Sequence, residues 1–85
     1  MKLSRTTVDD GLVMYAGVIE KVGYEIRSDE KMKIGKGELI GSPDLMRDAF
    51  RHGRLTLKLA EGSDIRILMV AHTEGGERAY FEIET

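Results

Sequence analysis

Three consecutive runs of strand-forming residues, each joined to the next by a glycine-bearing turn, fill the last third of the chain. They are Arg54–Ala60 (RLTLKLA), Asp64–Thr73 (DIRILMVAHT) and Arg78–Glu84 (RAYFEIE), separated by Glu61-Gly62-Ser63 and Glu74-Gly75-Gly76-Glu77. Alternating apolar residues bounded by such links specify antiparallel hairpins. This pattern restricts the fold to a sheet of sequentially paired strands. If Gly62-Ser63 and Gly75-Gly76 each form a two-residue loop, Leu57 opposes Leu68 and Leu55 opposes Val70. On the same footing Val70 opposes Phe81 and Leu68 opposes Ile83. Directly opposed residues share a face. One face then carries Leu55, Leu57, Leu59, Ala79, Phe81 and Ile83 together with Leu68 and Val70. The second face carries Ile65, Ile67, Met69 and Tyr80 beside Lys58, Glu82 and Glu84. Only the middle strand is apolar on both sides, which calls for something lying across it.

The first half gives weaker strand signals. Residues 1–9 read as a polar lead-in or an edge strand, and Leu12–Ile19 as a strand buried on both sides, with Gly17 marking a bulge or a close backbone approach. Val22-Gly23 reads as a turn. Tyr24–Arg27 and Lys31–Ile34 read as a hairpin about Ser28-Asp29-Glu30, followed by a glycine joint, Gly35-Lys36-Gly37, and a short strand, Glu38–Ile40.

One helix is specified locally. Ser42 is an N-cap, Pro43 takes the first helical position, Asp44 complements the positive end of the dipole, and Gly53 stops the helix. Leu45, Met46, Ala49 and Phe50 form an apolar stripe at helical spacing. The expected class is α+β, predominantly antiparallel β. It is a small curled sheet or barrel-like domain of about six strands with one short helix, in the order β-β-β-α-β-β-β. Residues 1–85 are expected to form a single small globular domain.

Composition removes several functions. With no cysteine among the 85 residues there is no thiolate chemistry and no disulfide framework. The apolar run Leu12–Ile19 is far short of the ~20 residues that span a bilayer. With no signal-peptide pattern at Met1–Arg5, the expected location is cytoplasmic. His52 and His72, the two imidazoles, stand apart from any second ligand at metal spacing, so no metal and no cofactor are expected. The serines occupy turn or cap positions and the adjacent carboxylates Asp9-Asp10 and Asp29-Glu30 lie in loops, which supports no enzymatic reading. Gly35-Lys36-Gly37 with Gly41-Ser42 lacks the lysine that a phosphate-gripping loop places directly before its serine.

Two surfaces remain as candidates. Residues 31–60 carry seven cations against three carboxylates, whereas residues 61–85 carry two against six. Arg47, Arg51, His52, Arg54 and Lys58 therefore form a candidate basic patch for nucleic acid or a nucleotide, in which Arg47 and Arg51 repeat at one helical turn. Ile65, Ile67, Met69 and Tyr80 form a candidate apolar interaction patch if nothing covers the second sheet face. The reading favoured by the sequence is a non-enzymatic protein-interaction or regulatory module, with a protein partner or homodimer, and with nucleic-acid binding as the alternative. The expected open edges are the amino-terminal strand and Arg78–Glu84.

Overall fold

The computed structural model describes residues 5–84. Six antiparallel strands close into a barrel: β1 (Arg5–Tyr15), β2 (Val18–Ser28), β3 (Gly35–Ile40), β4 (Arg54–Lys58), β5 (Asp64–His72) and β6 (Arg78–Ile83). Helix α1 (Pro43–His52) lies between β3 and β4, and the strand order around the barrel is β1-β2-β3-β6-β5-β4. The class and element order are those the sequence specifies. Of the segment 1–9, residues 5–9 belong to β1, and residues 1–4 lie outside the described residues.

The amino-terminal half is organised differently from its sequence reading. Leu12–Ile19 is not one strand. The chain reverses at Ala16-Gly17, with φ of +45° and +81° and Tyr15 opposite Val18. Positive φ at both central residues matches the twist of the flanking strands, which makes this a two-residue hairpin and not a bulge. Val22-Gly23 continues as strand inside β2. Lys31–Ile34 is turn, because the Asp29 carboxylate accepts the amides of Lys33 (2.8 Å) and Ile34 (3.1 Å) and folds the segment back. Met32, at φ +56°, packs from this turn onto the core. Gly35-Lys36-Gly37 is not a joint but the first half of β3. A Cβ at Gly37 would strike the Glu25 carbonyl and stand 2.9 Å from Phe81 Cζ, so glycine here lets the Phe81 ring fill the barrel.

The carboxy-terminal meander forms with a different register. The β4–β5 ladder ends at Lys58 opposite Asp64, leaving Leu59–Ser63 as the loop. That loop is closed by Leu59 N–H to Ser63 O (2.8 Å) and Gly62 N–H to Leu59 O (2.9 Å). Leu57 therefore opposes Ile65 and Leu55 opposes Ile67. On the other side Ile67 opposes Ile83 and Met69 opposes Phe81, with a bulge between Met69 and Ala71. The shift from the expected pairing is an odd number of residues, which exchanges the faces of β5. Ile67 (0% exposed) and Met69 (6%) point into the barrel, and Val70 (48%) points out.

The helix is capped as its sequence specifies. Ser42 Oγ accepts the Leu45 amide at 3.2 Å, and Gly53, at φ +90°, donates its N–H to Ala49 O at 3.1 Å. Met46 and Ala49 are fully buried and extend the barrel core, and the Gly53 carbonyl accepts the Met69 amide. The helix packs against β4, β5 and β6 at the end of the barrel, not across the outer face of β5. Phe50, assigned to the apolar stripe, is 40% exposed and stacks on His72 with ring centroids 5.6 Å apart.

Candidate interaction surface

Barrel closure depends on an uneven pair. β1 has eleven residues and β4 only five, so β4 cannot cover β1 along its length. They pair only through Leu12–Lys58, Val13–Leu57 and Met14–Thr56. Before Leu12, β1 pairs with β2 alone among the described residues. In a two-residue hairpin the residues flanking the loop exchange both hydrogen bonds, and bonded pairs then alternate along the strands. Starting from Tyr15–Val18, the odd-numbered residues of β1 bond to β2. Thr6, Val8 and Asp10 therefore turn their backbone N–H and C=O away from β2, toward the open side. The Asp10 amide is taken by the Asp9 carboxylate at 2.8 Å, which leaves Thr6 and Val8 as the donors without a partner among the described residues.

Where the two strands meet, the chains approach closely. A Cβ at Gly11 would clash with the Lys58 carbonyl and lie 3.0 Å from Tyr24 Cε2. The Tyr24 ring passes beneath, and its hydroxyl accepts the Ala60 amide at 3.0 Å, tying β2 to the β4–β5 loop. An open groove of about 630 Å³ borders this seam, lined among others by Asp10, Lys21, Gly23, Ile40, Lys58 and Leu59. Two large apolar side chains of the β1–β2 hairpin face outward, Val8 (65% exposed) and Ile19 (63%).

The candidate apolar patch does not exist as one surface. Ile67 and Met69 are core residues and Ile65 packs against that core, while Tyr80 lies on the outer face of β6. The register exchange is the cause. Arg78–Glu84 is no edge either, because β6 is paired on both sides, with β3 and with β5. Its partner β3 is remote in sequence, and no local signal in Arg78–Glu84 announces it.

The basic residues are spread out and mostly matched with acids. Arg47 lies 3.4 Å from Asp44 and 3.8 Å from Asp48, Arg54 is 2.8 Å from Glu84, and Lys58 is 3.4 Å from Asp64. Arg54 and Lys58 stand at opposite ends of β4, roughly 13 Å apart at a strand rise of ~3.3 Å per residue. Arg51 and His52 form the last turn of the helix, and the His52 ring leans on Tyr15 at 5.1 Å. Burial, and then the carboxylates of Asp48 and Glu20, raise the Tyr15 phenol above its ordinary value. On the far side Arg78 bonds Glu38 at 3.0 Å, and that carboxylate raises the guanidinium further. No group of three metal-ligating side chains occurs among the described residues. No helix among them is long and apolar enough to cross a membrane.

Compared with known proteins, the chain matches no family model, no curated protein and no solved structure.

Proposed function

We propose that this chain is a non-enzymatic interaction module that takes up an extended segment of a protein partner along the open edge of β1. The observation that carries this reading is the half-paired strand. From Arg5 to Gly11, β1 has β2 on one side and no strand on the other among the described residues. An unpaired edge is a template for a further strand, with main-chain hydrogen bonds supplying affinity and alternate side chains supplying selectivity. Exposed Val8, on the outer face next to this edge, offers an apolar contact to such a strand. The alternative, nucleic-acid or nucleotide binding at Arg47, Arg51, His52, Arg54 and Lys58, has less support, because three of the four arginine and lysine side chains in this set already face carboxylates.

The test is selection of binders from a displayed library of unstructured peptides, followed by amide-resolved NMR titration of the labelled protein. Binders are expected to shift and protect the Thr6 and Val8 amides and to lose affinity on Val8→Pro. That substitution removes an outward donor without removing a β1–β2 bond. Selected peptides that map to the helix or to β6 instead would refute the reading. The same titration with short RNA, duplex DNA and cyclic dinucleotides tests the alternative. Salt-sensitive shifts at Arg47, Arg51 and Arg54 would promote it.

A further inference from the structure

Resting on the strand-edge reading, the geometry points to a second copy of this chain as an occupant of the β1 edge. We infer a two-fold antiparallel pairing in which Thr7 stands opposite Thr7 of the second copy. In that register Thr6 opposes Val8 of the second copy, and Arg5 opposes its Asp9. Three features of β1 converge on it.

The first is the pattern of open backbone groups. Thr6 and Val8 are the residues whose outward amides remain open, and this register makes them the hydrogen-bonded pairs across the two-fold axis. The neighbouring register, with Val8 opposite itself, needs the Asp10 amide opposite Thr6, and Asp9 already holds that amide. The second is charge. Arg5 and Asp9 are opposite in sign, four residues apart, and both on the face that carries Thr7. Antiparallel pairing about Thr7 sets them against each other twice, whereas the neighbouring register sets Thr7 against Asp9 and Arg5 against Gly11. Opposite charges directly across a ladder stabilise it, and like charges destabilise it by a similar amount. The third is the Thr7 hydroxyl, which is shielded from solvent and has no hydrogen-bond partner among the described residues. A buried hydroxyl without a partner is disfavoured. A turn about the Thr7 Cα–Cβ bond brings each hydroxyl out to the other across the two-fold axis, a pairing that sheets use.

Sedimentation velocity from micromolar to millimolar protein tests the inference. The wild type is expected to form a dimer with rising concentration, more readily at low salt. Arg5→Asp alone and Asp9→Arg alone each place like charges in register at two points. Each is expected to weaken association by roughly tenfold or more. The double variant Arg5→Asp/Asp9→Arg restores opposite charges in register and is expected to recover the wild-type dimer. Amide spectra of all three variants confirm that the barrel is intact. A wild type that stays monomeric throughout, or a double variant no better than the singles, overturns the pairing. If peptide binders still map to Thr6 and Val8, that failure leaves the strand-edge reading standing. A dimer that survives Val8→Pro lies on another surface and overturns the pairing, while the strand-edge reading is decided by whether peptide binders lose affinity on the same substitution.

Discussion

Removing one oxygen atom at Tyr24 tests how the barrel is fastened. Tyr24 is 1% exposed, and its hydroxyl accepts the Ala60 amide at 3.0 Å. Tyr24→Phe keeps the ring, its burial and its contact with Gly11, and deletes the acceptor alone. Ala60 is exposed, so water reaches its freed N–H, and the full penalty of an orphaned buried donor does not apply. What is lost is the net worth of one hydrogen bond, about 1 kcal/mol. For a domain of this size that corresponds to a fall in Tm of about 4–8 °C. Tyr24→Ala, which also empties the ring's place in the core, should cost about 3–5 kcal/mol, as other large aromatic deletions do. Thermal and urea unfolding give the two magnitudes, and hydrogen exchange at Ala60 reports locally. In Tyr24→Phe the Ala60 amide should exchange faster, while amides in the β5–β6 ladder keep their order of protection. An unchanged Tm with unchanged Ala60 exchange would refute the fastening. A Phe variant as unstable as the Ala variant would show that the hydroxyl organises far more than one bond.

Two further substitutions probe local devices. Ser42→Ala deprives the Leu45 amide of its acceptor and should destabilise the protein by about 1 kcal/mol, with Ser42→Asp retaining most of it, as read from urea midpoints. The amides of Ile34 and then Lys33 hold the Asp29 carboxyl below its ordinary value of 3.8. A depressed carboxylate contributes stability above its unfolded value and loses it as pH falls through the folded one. Stability should therefore drop as pH falls below 3.8, and Asp29→Asn should flatten that part of the acid limb in urea unfolding followed from pH ~5 to ~2. An acid limb identical in both proteins would remove Asp29 from the account.

The parts legible in the sequence are those whose causes are local. Ser42, Pro43 and Gly53 fix both ends of the helix through contacts within a few residues, and the structure keeps both ends. The three carboxy-terminal strands and the sequence of elements follow from alternation and turn residues, whereas the order of strands around the barrel does not. Nor does register, because β5 is apolar on both faces. Ile65, Ile67 and Met69 fill the barrel as acceptably as Leu68 and Val70 would, and the choice rests on the Leu59–Ser63 loop closing through backbone bonds. The apolar patch was tied to that register and vanishes with it. Gly17 is ambiguous for a similar reason, since a lone glycine in an apolar run suits a bulge or a reversal, and only pairing with β2 decides. The polar residues before Leu12 suggest an edge, and among the described residues Arg5–Gly11 pairs with β2 alone, whereas Leu12–Met14 of the same strand pairs with β4 and closes the barrel. The interior place of β6 was not legible, since its neighbour β3 lies some forty residues earlier in the chain.

The charges on the open edge bear on which strand it admits. Edges are commonly guarded by charge, and a run of one sign repels any copy of itself in every register. β1 carries Arg5 at one end of its open stretch and Asp9-Asp10 at the other. A parallel copy in register would set Arg5 against Arg5 and Asp9 against Asp9, which is unfavourable at each position. An antiparallel copy about Thr7 sets each Arg5 against an Asp9. The same three charges thus exclude one self-pairing and favour another. The Asp9 carboxylate sharpens the choice by occupying the Asp10 amide and leaving Thr6 and Val8 as the donors on offer. A foreign strand meeting this edge is subject to the same selection. It should carry an acidic residue opposite Arg5 and a basic one opposite Asp9, with a small or β-branched residue between them opposite Thr7. Peptides selected on the protein should show that pattern when aligned on their protected amides, and Arg5→Asp/Asp9→Arg should invert their charges.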